Sequence, residues 1–538
     1  MRWLYALRLG RWGIAGFSVL AFAISLANAF AYYVLAGGTP EQRRAFGSSI
    51  AQIALQLSVL VAPPIRPDTV GGYMQFRAYG FLAILFSIWA LVSAAGSTRG
   101  DEERGIVEAV LAAGVSRADA LLARFGAFTC GAVFASGAAA LGLATGVAHA
   151  GDSIDAASVL GATVDLVAIT LCSYALAVLV CQFFAPRVAT GAAGVLLLLL
   201  FLVNSLGRSI DFFQRWRWLS PFHYYDQSQP LPPGGPFDVR AVEILFAVAA
   251  AAAVASMLAF AYRDVSSQLL RLPVPARRES HEPGGVVWRI PVVRGLYDRR
   301  LGLTIWIAGV SALAYLITIL TREVVRPLLH LQTLQPFLNF VIKGDLYPSF
   351  LGYLWFDVVE LLFAGYAITQ VARWAAEDGD GRLELTMSNP ISRTAVVVER
   401  AFVVAASASA VALISAAVVH LQAQQESIDV SVSRLVTASM LLVPFVTFFA
   451  AIGAVLCAAL PRAALGLLAG FAITGYFITQ LGPIFKWPPA LLDLSPFHLY
   501  GHPLSEGVDG AGLALMLLVT LVGFAAAAFL MKRRDIAS

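Results

Sequence analysis

The residues that could do chemistry are few, and most are carboxylates set in an apolar chain. One cluster is Asp101, Glu102, Glu103, Arg104 and Glu108 around Gly105, with Ile106, Val107, Val110 and Leu111 interleaved at helical spacing. That pattern predicts a short amphipathic helix whose charged face could dock on a partner while its apolar face stays against the protein. Gly114 should end this helix, and Ser116 with Asp119 three residues on reads as a capping box that starts the next, ahead of Arg117. A second cluster, Glu377, Asp378, Gly381, Arg382 and Glu384, precedes Ser392 and Arg393, with Asn389-Pro390 as the breaker. For one copy alone, a solvated loop would explain the charges equally well. Asp357 and Glu360 share a helix face at i,i+3 inside an apolar run, and Asp165 stands alone in another. In a membrane such groups meet a cation or a proton, although Asp357 lies near enough to a span end to reach water. His223 and His498 each follow Ser-Pro-Phe in an aromatic setting, which suits a structural hydrogen bond. No Ser/His/Asp or Cys/His arrangement has catalytic spacing, so no catalytic residue and no metal site are assigned. The three lysines, Lys343, Lys486 and Lys532, lie outside any G-x-x-x-x-G-K-[ST] sequence, so the chain carries no P-loop.

The elements that must hold these residues are membrane helices. Of 538 residues, 59% are hydrophobic and 13% charged, about half the roughly 25% usual in soluble domains. Mean hydropathy is +0.76. Apolar runs of the roughly 20 residues needed to cross a bilayer recur throughout. They fall near 12–36, 77–97, 119–148, 157–184, 188–206 and 241–262, then near 303–321, 353–373, 395–421, 433–459, 463–482 and 511–531. The run 49–62 is too short and holds Gln52 and Gln56, so an interfacial or re-entrant piece is expected. Net charge is +4, but the basic residues concentrate on one side of this topology, so they report orientation rather than nucleic acid. Cys130, Cys172, Cys181 and Cys457 all fall in spans and read as packing residues. Arg2, Arg8 and Arg11 ahead of an apolar run ending Ala27-Asn28-Ala29 imitate a cleavable signal, but retention is expected because the flanking motif returns mid-chain.

That return is part of a tandem repeat. LYALRLG at 4–10 comes back as LYDRRLG at 296–302, and the acidic segment 101–125 as 377–401. The second pairing sets Gly105 on Gly381, Glu108 on Glu384, Ser116-Arg117 on Ser392-Arg393 and Arg124 on Arg400. APR at 185–187 pairs with LPR at 460–462, and LSPFH at 219–223 with LSPFH at 494–498. The fold expected is therefore all-α, about 12 spans in two parallel six-helix halves with pseudo-two-fold symmetry. The halves are 1–262 and 296–538, joined by a Pro/Arg-rich cytoplasmic linker at 263–295, with both termini cytoplasmic. The aromatic tracts 207–240 and 483–510, including Pro221, Phe222, His223, Pro496, Phe497 and His498, should cap the outer end as short helices.

The tandem halves, the E-x-x-G-x-x-E-like segments 102–108 and 378–384, and the two Ser-Pro-Phe-His tracts resemble ABC exporter permeases of the polyketide-antibiotic and multidrug type. The resemblance implies coupling helices at 99–117 and 375–393, each seated in one of two separate ATPase subunits that bind ATP and Mg2+. It also implies amphipathic helices at 2–11 and 290–300, a bacterial inner-membrane location and export of hydrophobic or amphiphilic compounds. Gly379 stands where the first half has Glu103, so the two docking sites are not identical. Two other readings stay open: a twelve-span proton-coupled carrier and a non-transporting membrane scaffold or sensor. Membrane lipid is the remaining expected partner.

Overall fold

Long apolar stretches with few helix breakers leave the backbone one way to satisfy its polar groups in lipid, which is to coil on itself. The structure, a computed structural model, describes residues 2–56, 62–208, 210–265, 267, 269, 290–328, 346–379, 382–388, 391–461, 463–485, 487–504 and 506–533, and these contain no strand. Eleven of their helices are long and apolar enough to cross a membrane, and a shorter apolar helix, Ala464–Gln480, lies where the twelfth was expected. The protein is an all-α integral membrane protein.

The chain divides into two compact units, Met1–Arg277 and Arg278–Ser538. The first runs α1 (Arg2–Leu35), α2 (Pro40–Gln56), α3 (Val70–Glu103), α4 (Ile106–Ala112), α5 (Arg117–His149), α6 (Ala156–Phe183), α7 (Pro186–Leu206), α8 (Asp211–Gln214), α9 (Pro221–Tyr225) and α10 (Val239–Tyr262). The second runs α11 (Pro291–Asp298), α12 (Arg300–Leu328), α13 (Leu346–Gly379), α14 (Arg382–Met387), α15 (Arg393–Gln425), α16 (Val432–Ala459), α17 (Ala464–Phe485), α18 (Pro489–Leu492), α19 (Pro496–Tyr500) and α20 (Gly510–Arg533). Inside the first unit α1 packs on α5, α3 on α6 and α6 on α10; inside the second α12 packs on α15, α13 on α16 and α16 on α20. The repeat read from the sequence is thus a repeat of packing as well.

Small residues set the closest of these contacts. A Cβ on Gly142 of α5 would stand 2.3 Å from the Phe22 carbonyl of α1, and one on Gly146 2.5 Å from Ala29. Two membrane helices can approach this closely only where side chains are missing, which is the usual device where no hydrophobic effect drives helices together in lipid.

Two expectations need correction. Residues 2–11 form no separate interfacial helix but are the first turns of α1, because nothing between Arg2 and Leu35 breaks the helix. In the second half the equivalent stretch does separate: Asp298 ends α11, and Arg299 (φ −102°, ψ 2°) interrupts the ladder before α12. The start of the run 49–62 lies in a helix, Pro40–Gln56, that is not among those apolar enough to cross a membrane, and residues 57–61 lie outside the described part. Finally, Asp101–Glu103 and Glu377–Gly379 are not in the loop helices; they are the last turns of α3 and α13. Gly105, at φ +69°, ends the first of these continuations in a left-handed conformation that side-chain-bearing residues avoid.

Candidate functional site

Close to its end α3 contains a π-turn, Gly96–Gly100, that re-phases its last residues before the loop to α5. Its consequence is that Arg99 and Glu102 both point inward, with Asp101 beside them. Asp101 and Glu102 are 4% and 5% exposed, whereas Glu103, Arg104 and Glu108 face solvent. Glu102 sits between two guanidiniums. Arg99 Nη1 donates to its Oε2 at 2.7 Å, Arg263 Nη1 to the same oxygen at 3.1 Å, and Arg263 Nη2 to Oε1. Both arginines also donate to carbonyls at the end of α6 and beyond α10: Arg99 Nε to Cys181 O at 2.6 Å, and Arg263 Nη1 to Ser267 O at 2.7 Å. Cations at a helix C-terminus also meet the negative end of its dipole. This clasp ties α3, α6 and α10 together below the loop helix.

A second set of ties is repeated in both units. Ser116 caps α5 by accepting from the Asp119 N–H, and Ser392 caps α15 by accepting from Ala395 N–H, each at 3.1 Å. Arg117 Nη1 donates to the last carbonyls of α10, at Phe260 and Ala261, both 3.2 Å, and to Arg263 O. Arg393 Nη1 does the same for α20, at Met531 O (2.8 Å) and Lys532 O (3.1 Å). Arg124 pairs with Asp101, and Arg400 with Glu377 at 2.8 Å, so each third span is bridged to its second. Ser116 and Ser392 thus cap the third span of each unit while staying exposed, and Arg117 and Arg393 tie the start of that span to the end of the last one. The clasp has no second copy among these contacts: the positions matching Arg99 and Gln182 are Ala375 and Cys457. In the second unit Glu384 is exposed on α14 and Asp378 half-buried on α13, while Gly381 and the Arg382 side chain lie outside the described part.

The buried carboxyls converge on the other repeated motif. Asp165 of α6 is 1% exposed, with neither oxygen hydrogen-bonded, and lies within electrostatic reach of Tyr225 and Asp226. Tyr225 donates its hydroxyl to Tyr79 O at 3.0 Å, and Asp226 is held by Asn204 at 2.7 Å and by Arg208. In the second unit Glu360 of α13 is 5% exposed and lies within reach of Asp357 and Tyr500, while Asp357 bonds Gln480 and faces His502. Tyr225 and Tyr500 occupy one repeat position, two residues after the histidine of each Ser-Pro-Phe-His tract. Each unit thus sets one buried carboxyl near that tyrosine, from its fourth span in the first half and its second span in the other. Sequence reading found the carboxyls but not their common neighbour, although the shared tyrosine register was there to be seen.

The histidines stay peripheral. His223 shares a hydrogen bond of 2.9 Å with Gln227, and burial together with Arg217 pushes its imidazole below the usual value. His498 lies 3.8 Å from Asp493. Pro221, Phe222, Pro496 and Phe497 are buried in the short helices α9 and α19. Among the described residues no three His, Cys, Asp or Glu side chains group as metal ligands.

Comparison with known proteins places these features in a family. The family model described as multidrug efflux system permease Rv1217c, C-terminal domain, matches residues 6–261 and 290–532, one stretch in each half. No curated protein matches the chain.

Proposed function

The chain belongs to this multidrug efflux permease family, and we propose that it is the membrane subunit of an ATP-binding-cassette exporter, driven by two copies of a separate ATPase. The observation that carries the reading is the duplicated loop helix. In each unit a short helix hangs between the second and third spans, with acidic side chains outward and its base tied to the last span by Arg117 or Arg393. A force applied to such a helix reaches three spans of its unit at once. ATP and Mg2+ belong to the partner, because this sequence has no P-loop. The membrane is the bacterial inner membrane, with both chain ends and both loop helices on the cytoplasmic side. Substrates are hydrophobic or amphiphilic compounds of antibiotic type. Asp165, Glu360 and Asp357 are the groups that would meet a cationic one. Transport then requires that the substrate bind the inward-facing state more tightly than the outward-facing one.

Replacing Glu108 and Glu384 together by arginine should reduce export of an amphiphilic dye from cells to the level of cells lacking the protein, with membrane abundance unchanged. Undiminished export would remove the coupling role. A buried carboxyl with no hydrogen-bond partner, as at Asp165, is also what a proton-coupled carrier needs, so a second arm collapses the proton gradient while ATP stays high. Export that stops under that condition assigns the energy source to the gradient instead.

A further inference from the structure

The joint between α11 and α12 falls on Arg299, whose side chain turns onto α13 and donates to Gln370 Oε1 at 3.2 Å. Arg373 follows Gln370 at i,i+3, so the two share a face of α13. Arg373 and Arg400 of α15 both stand within electrostatic reach of Arg299. Three guanidiniums thus gather where the ends of α12, α13 and α15 meet.

The acidic neighbours are spent elsewhere. Glu377 is held by Arg400 at 2.8 Å and by Arg373 at 3.7 Å. Glu399 of α15 also lies within electrostatic reach of Arg299, yet among the described residues neither carboxylate forms an ion pair with it. Arg299 therefore spends one hydrogen bond on a neutral amide and keeps donors of its guanidinium fork for something else. A half-buried cation in that state is unfavourable until an anion reaches it. The first half has no such place: Leu7 stands at the position of Arg299 inside the unbroken α1, and Ala94, Ser97 and Ala123 match Gln370, Arg373 and Glu399.

We propose that this joint binds the headgroup phosphate of an anionic phospholipid, in the second half only. A guanidinium fork matches two phosphate oxygens, and Arg299 supplies one fork and the 45% exposed Arg373 a second. Two features beside the joint favour a lipid over a free phosphate. Leu301 and Ile305, 74% and 64% exposed, stand one turn apart at the start of α12, so an apolar strip for acyl chains begins where the guanidiniums end. On α11, Val292, Val293 and Leu296 are half-buried while Arg294 and Asp298 are exposed, the pattern of a helix lying along a membrane surface. Basic pockets between membrane helices take anionic headgroups by the same chemistry. A zwitterionic lipid fits less well, because its own ammonium would meet the arginines. The bound lipid fastens α11 to the ends of three spans, and this binding does not depend on the transport role proposed above.

The test is native mass spectrometry of the full chain in detergent, titrated with phosphatidylglycerol and with phosphatidylcholine of the same acyl chains. Phosphatidylglycerol should bind saturably and about tenfold more tightly, the worth of one charge-assisted contact. Arg299→Gln should erase that preference and leave phosphatidylcholine binding unchanged. The same change removes a cation without a counter-ion, so the lipid-free variant should melt no lower than the native chain. A lower melting midpoint with the preference intact would make Arg299 a structural residue and overturn the proposal. Should Arg299→Gln fail to fold, Arg373→Gln reads the same preference. Inorganic phosphate forms the second arm: if it displaces phosphatidylglycerol at comparable concentration, the site takes a free anion and the lipid assignment is overturned. A native chain without the preference, or a preference that survives both variants, overturns the proposal as well.

Discussion

Replacing Glu102 by glutamine strips the one carboxylate from the clasp and leaves two guanidiniums facing each other. The Arg99 and Arg263 side chains are 2% and 0% exposed, so water cannot take over. Removing one partner of a buried ion pair costs about 3–5 kcal/mol, and glutamine keeps one acceptor oxygen, which puts the loss near the lower figure. At roughly 2–4 °C per kcal/mol for a domain of this size, the melting midpoint should fall by at least about 6 °C. The assay is intrinsic-fluorescence melting of the detergent-purified chain, read alongside Asp378→Asn. Asp378 matches Glu102 in the repeat, but Ala375 stands where Arg99 would be, so that change should cost far less. Changing Arg99, Glu102 and Arg263 together to methionine should recover most of the loss, since an apolar replacement removes the burial cost of all three charges. If Glu102→Gln melts with the native chain, or the triple variant melts as low as the single one, the clasp is not held by charge pairing.

Two further outcomes follow from the clusters beside the two Ser-Pro-Phe-His tracts. Asp165→Leu removes a buried carboxyl that has no hydrogen-bond partner, so stability should rise by about 1–3 kcal/mol while export of cationic amphiphiles falls. A loss of stability would mean that the carboxyl is satisfied. For His223, burial and Arg217 depress the imidazole, so the folded state refuses a proton that the unfolded state takes near the usual 6.5. Its contribution is complete above 6.5 and is lost as pH falls from there toward the folded value, so His223→Gln should flatten the melting profile across that window. An unchanged profile would refute the assignment.

The sequence alone was enough for the class and the repeat, because both rest on local properties. A span needs only length and apolarity, and the duplicated motifs hold their register however the chain packs. The same locality made Gly114 and Ser116 legible as a helix end and start: Gly114 takes φ +81° and Ser116 caps α5 as read. What needed the tertiary structure was the fate of the charges. Asp101 and Glu102 look like surface residues next to Glu103, and only the π-turn at Gly96–Gly100 and the arrival of Arg263 from far along the chain turn them inward. Arg263 itself reads as the start of a basic linker. The meeting of Asp165 with Tyr225, and of Glu360 with Tyr500, is likewise set by how spans cross.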